Sequence, residues 1–77
     1  MSLSAQLIKS ARMHAEAEIQ LHMTNIWVYL NNSAGIGEHS DIVEAIQGEL
    51  DKMASANDRL EMLDQYFTDV EIENAVD

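Results

Sequence analysis

The chain has 77 residues, no cysteine, no proline and a formal net charge of −10. A single domain of that length buries only about 60% of the surface its unfolded chain exposes. Without cysteine it has neither a disulfide framework nor a thiolate zinc site, so oligomerisation is the remaining common staple for so small a core. The acidic balance lacks the basic face that phosphate backbones or anionic lipids require, and neither nucleic acid nor a membrane is expected as a partner.

Hydrophobic residues make up 47% of the chain, enough for a folded core. The longest apolar run, Ile26 to Leu30, is far below the ~18 residues that suggest a membrane span. Lys9 and Arg12 near the start are not followed by an apolar stretch and a small-residue cleavage site. No secretory signal is therefore read, and a cytoplasmic location is expected.

Good helix formers fill residues 3–32, and nothing interrupts them. Ile8, Ala15, Ile19, Ile26 and Leu30 recur at helical steps, with Ala11, Met23, Trp27 and Tyr29 widening the stripe. The cluster "NIWVYL" could form a strand in isolation. It continues the helical phase and has no partner strand, so one long helix over about 3–32 is expected.

Residues 33–39 read as a corner. Asn31, Asn32 and Ser33 weaken the first helix, Gly35 suits the left-handed position after a helix end, and Ile36 can fold back on Leu30. Gly37 loosens the connection further, and Ser40 suits the N-cap of a second helix with Asp41 and Glu44 in its first turn. A phosphate-cradling loop would want lysine nearby, whereas Glu38 and Asp41 flank this one.

The second helix is expected over about 40–68. Ile46, Met53, Leu60 and Phe67 are spaced by sevens, and Val43, Leu50 and Asn57 stand three residues before the first three of them, a heptad pattern. The next position in the second row is Asp64, so the seam is expected to drift to Leu63. Asn57 is either a polar seam residue that sets register or an Asn tolerated at a wet seam edge, and Gly48 can mark a close approach of another backbone. The acidic tail, 69–77, loses the phase and is expected to fray.

Charge separates along the chain: the acids number 14, and only Glu16 and Glu18 lie before residue 35, which leaves 14 − 2 = 12 beyond it against Lys52 and Arg59. His14, Glu18 and His22 follow one another at four-residue steps, with Glu38 and His39 at the corner. His14 and His22 are about two turns, or ~12 Å, apart and cannot share one metal from the same helix. The Glu-x-x-His spacing of four-helix di-iron proteins is missing. No metal, no cofactor and no catalytic residues are assigned, and the chain is not expected to be an enzyme.

The segments "GIGEHSDIVEAI" and "DRLEMLDQYF" resemble short proteins of tailed phages, marine ones in particular, that share a G-I/V-G-E-H-x-D corner and a D-x-L-E-x-L-x-x-Y/F ending. The likeness spans roughly Ile19 to Phe67. It implies a viral origin and a small helical protein of unassigned role, and it brings no catalytic residues with it.

The expected fold is all-α, a two-helix antiparallel hairpin that dimerises into a four-helix bundle. Ile19, Ile26, Val43, Ile46, Leu50, Met53 and Leu60 are expected to face each other within the hairpin, with Met23, Trp27, Leu30, Leu63 and Phe67 bordering that seam as the surface for a second copy. The expected function is a self-associating assembly or adaptor module, a homodimer open to a further protein partner. The alternative is an acidic mimic of nucleic acid that occupies a host protein, drawn from Asp41, Glu44, Glu49, Asp51, Asp58, Glu61 and Asp64, and a metal-dependent enzyme ranks third.

Overall fold

The computed structural model describes residues 2–32 and 39–75. They form three helices and no strand: α1 (Leu3–Asn32), α2 (His39–Tyr66) and the short α3 (Thr68–Ala75). Ser2 caps α1, its Oγ accepting from the Ala5 amide at 3.2 Å and its carbonyl accepting from Gln6 at 3.0 Å. Near the other end of α1, the Asn31 side chain donates to the Trp27 carbonyl one turn back along the same helix at 2.9 Å.

The two long helices pack along their length, and "NIWVYL" stays within α1. Cross-helix pairs run in opposite directions along the chain, from His22 with Glu49, through Glu18 with Arg59, to Arg12 with Asp64. The hairpin is therefore antiparallel.

On α1 the inward positions alternate by three and four: Ala5, Ile8, Arg12, Ala15, Ile19, His22, Ile26 and Tyr29, all buried or half-buried. On α2 the row Ile46, Met53 and Leu60 turns inward, but its companions differ from the sequence expectation. Val43 and Leu50 are 56% and 43% exposed and Asn57 is exposed, while Ile42, Glu49, Ala56 and Leu63 take the inward places. A row spaced by sevens can be joined by residues on either side of it, and here the choice follows close approach and polar satisfaction. Ala56, fully buried, lets the helices come near; Glu49 finds partners on α1; and the chosen row ends on Leu63, leaving Asp64 to reach Arg12.

Residues 69–75, expected to fray, are helical and belong to α3. Thr68 Oγ1 donates to the Asp64 carbonyl at 2.7 Å, the back-bonding that bends helices. Phe67 sits at the bend, 43% exposed instead of continuing the inward row. The bend turns α3 against α1, where Glu71 takes the Arg12 guanidinium. Gly35, Ile36 and Gly37 lie outside the described residues. Ser40 falls in the first turn of α2, which begins at His39, and its side chain is also outside them.

The result is a thin layer of 56 × 17 × 12 Å. Its radius of gyration is 17.0 Å, against about 11.5 Å for a compact chain of this length. Its accessible surface is 5541 Å², about 800 Å² above the roughly 4,700 Å² of a compact 8.6 kDa monomer. Among the described residues the buried apolar set is Ala5, Ala15, Ile42 and Ala56, so no large side chain is fully enclosed.

Candidate functional site

Polar clasps join the helices. His22 Nδ1 lies 2.6 Å from Glu49 Oε2, with both side chains nearly buried at 13% and 11% exposure, and Asn25 Nδ2 donates to the same carboxylate at 3.1 Å. The hydrogen bond from His22 holds the Glu49 carboxyl below its ordinary range, assisted by Asn25 and opposed by desolvation. Toward the open end, Arg12 spans Glu71 at 2.9 Å and Asp64 at 2.7 Å, and the charge-assisted bonds to those two carboxylates keep the guanidinium firmly protonated. Arg59 donates to Glu18, which also receives His14 at 3.0 Å. The Glu18 carboxyl is lowered chiefly by Arg59.

These pairs divide the residues weighed for a metal. His14 is 70% exposed on Glu18, whereas His22 turns into the seam toward Glu49. No group of three metal-ligating side chains forms among the described residues.

The same clasps mark the two flanks of the layer. At about 100° per residue, helical geometry puts the Arg12–Asp64 pair on one flank and the Glu18–Arg59 pair on the other. On the Arg12 flank, near the connection between the long helices, Met23, Trp27 and Leu30 of α1 stand beside Val43 and Leu50 of α2. Trp27 is 58% exposed, and Leu30, Val43 and Leu50 are exposed with it. Toward the open end this flank becomes charged, with Lys9 and Glu16 on α1 and Asn57, Glu61 and Asp64 on α2; Asn57 donates to Glu61 at 3.4 Å along its own helix.

The opposite flank carries a groove of about 320 Å³ lined by Ala11, His14, Arg59, Met62 and Leu63. Leu63 thus lies across the layer from Trp27 and does not share a border with it. Gly48 also falls on this flank, and among the described residues nothing outside its own helical turn lies within 4 Å of the position a Cβ would take. Glu44, Asp51 and Asp58, at seven-residue steps, occupy the outward side of α2.

Val43, Leu50 and Asn57 therefore form one stripe, but on the outer flank and not in the hairpin seam. By sequence Glu49 counts in the acidic set of the mimic, whereas it turns into the seam, and Arg12 and His22 are given no cross-helix partner. Their signal was positional: Arg12 is seven residues from Ala5 and Ile19, His22 is seven from Ala15 and Tyr29, and Glu49 is seven from Ile42 and Ala56, all inward positions.

No family model matches the chain, and neither a curated protein nor a solved structure matches it. No helix among the described residues is long and apolar enough to cross a membrane.

Proposed function

We propose that the chain is a non-catalytic, self-associating helical module, in which two hairpins join through the Trp27 flank into a four-helix bundle. The observation that carries this is the placement of Met23, Trp27, Leu30, Val43 and Leu50 on one side of a layer only 12 Å thick in its shortest dimension. Covering 100 Å² of apolar surface contributes about 2.5 kcal/mol, against roughly 4–15 kcal/mol of freedom lost on association. Several hundred Å² per copy are needed, and the surplus of about 800 Å² over a compact chain is of that size.

The resemblance of the corner and ending to those of short tailed-phage proteins is what suggests a viral setting, with the module acting in the host cytoplasm and offering its remaining surface to a protein partner. Sedimentation equilibrium at micromolar concentration tests the association: twice 8.6 kDa is expected, and a fully helical monomer overturns it. Trp27, the single tryptophan, is expected to emit at shorter wavelength in the assembled protein and to shift red on dilution.

The acidic-mimic reading draws on a different observation. Arg12 and Arg59 are engaged by carboxylates of their own chain, while Glu44, Asp51 and Asp58 face outward along α2. A cationic protein partner whose affinity falls steeply with salt would support that reading.

A further inference from the structure

Resting on the self-association proposed above, we infer the arrangement of the second copy: the two hairpins pair with their connecting ends together, the two-fold axis running along the helices. The Trp27 flank is two-part. Its connecting half is apolar, with Met23, Trp27, Leu30, Val43 and Leu50, and its open half is charged and polar apart from Met13, two heptads before Trp27.

A symmetric pair of flanks can meet in three ways. If the hairpins lie fully overlapped with connecting ends at opposite ends, Trp27 and Leu30 of one copy are set against the charged half of the other, and carboxylates lose water without an apolar or cationic partner. If the hairpins slide until apolar halves coincide in that orientation, overlap is limited to the connecting halves and the open halves protrude. Such a contact uses less than half of the 56 Å length and covers well under the roughly 800 Å² by which the surface exceeds that of a compact chain.

With connecting ends together, each level of one hairpin meets the same level of the other, and α1 lies over the partner's α2. The apolar halves then coincide over full overlap. At the open end Lys9 of one copy faces the acidic stretch of α2 that holds the partner's Glu61 and the partner's Asp64, while Arg12 stays inward on Asp64 and Glu71 of its own chain. Asn57 lies at the border between the two halves, at the level where a polar seam residue can hold register. Area and charge thus select the same arrangement.

Double electron–electron resonance on singly labelled chains tests it, because the chain has no native cysteine. Glu44→Cys labels the connecting end and Ser10→Cys the open end, both at exposed positions off the Trp27 flank. Both labels are expected to show the same separation, under ~40 Å across two helix layers. A Glu44 separation longer than the Ser10 one by ~10 Å or more, as 1.5 Å per residue gives for fully overlapped hairpins with connecting ends opposed, overturns the inference. A short Glu44 distance with a Ser10 distance beyond ~50 Å, the spread expected from 1.5 Å per residue in the slid arrangement, overturns the inference and leaves the association standing. Absence of any coupling from either label, with a monomer mass by sedimentation, overturns both.

Discussion

The seam inside the hairpin and the flank outside it differ in how far their large apolar side chains are covered, half-buried or better in the seam and mostly exposed on the flank. Inside stand alanines at the closest points and a nearly buried imidazole–carboxylate pair, with no large side chain fully enclosed. Outside, on the Trp27 flank, stand the large apolar groups that a core normally hides. Two helices alone leave the seam's Ile8, Ile19, Ile26, Ile46, Met53 and Leu60 only half-buried, and the clasps Arg12–Asp64–Glu71, Glu18–Arg59 and His22–Glu49 set its register without supplying much hydrophobic free energy. The larger gain is available outside the chain.

The sharpest way to break this contrast is Trp27→Glu. If the outer flank holds the assembly, the change costs about 2–4 kcal/mol of association, as central aromatic residues do, and sedimentation shows monomers at concentrations where the parent pairs. Unchanged mass would move the association surface elsewhere, the Leu63 groove being the first place to look.

The seam is probed by Ala56→Leu. A side chain forced between helices at a fully buried alanine costs about 1–3 kcal/mol. Thermal unfolding should report this as a clear fall in Tm, and an unaltered Tm would mean that the helices are free to separate there. Gly48→Ala tests the same pair of regions from the other side. The position is helical, open, and part of neither the seam nor the Trp27 flank, so the added methyl should stabilise by about 1 kcal/mol, near 4–8 °C in Tm. A loss of stability would show that another backbone packs on Gly48 in the assembled protein.

Acid sharpens the role of the clasps. The folded Glu49 carboxyl lies below its ordinary 4.5 because His22, with Asn25 behind it, stabilises the charged form. The contribution is therefore complete above about pH 4.5 and is lost as the pH falls through the lower folded value. Glu18, lowered by Arg59, adds in the same direction. Urea midpoints measured from pH 6 down to pH 3 should fall, and Glu49→Gln should flatten that fall; a parent and variant with parallel acid limbs would remove Glu49 from the account. The smallest effect is expected at the charged half of the outer flank. Lys9→Glu should weaken pairing a few-fold at low salt, within the roughly 0.2–1 kcal/mol of an exposed ion pair, and adding Glu61→Lys should restore it.

The sequence determined that this chain is helical and that its two long segments pack together, because uninterrupted helix formers and seven-residue spacing are local properties that any tertiary arrangement must accommodate. It also marked Val43, Leu50 and Asn57 as one stripe. Tertiary structure decided which stripe faces inward. A heptad row such as Ile46, Met53 and Leu60 can pair with companions on either side, and hydrophobicity alone favoured Val43 and Leu50 over Glu49 and Ala56. The inward choice depends on what the opposite helix offers at each level: His22 and Asn25 to neutralise the burial cost of Glu49, and room for close contact at Ala56. The tail was decided in the same way. Its acidic composition reads as fraying, yet Arg12, 59 positions away, gives Glu71 a partner that no local pattern contains.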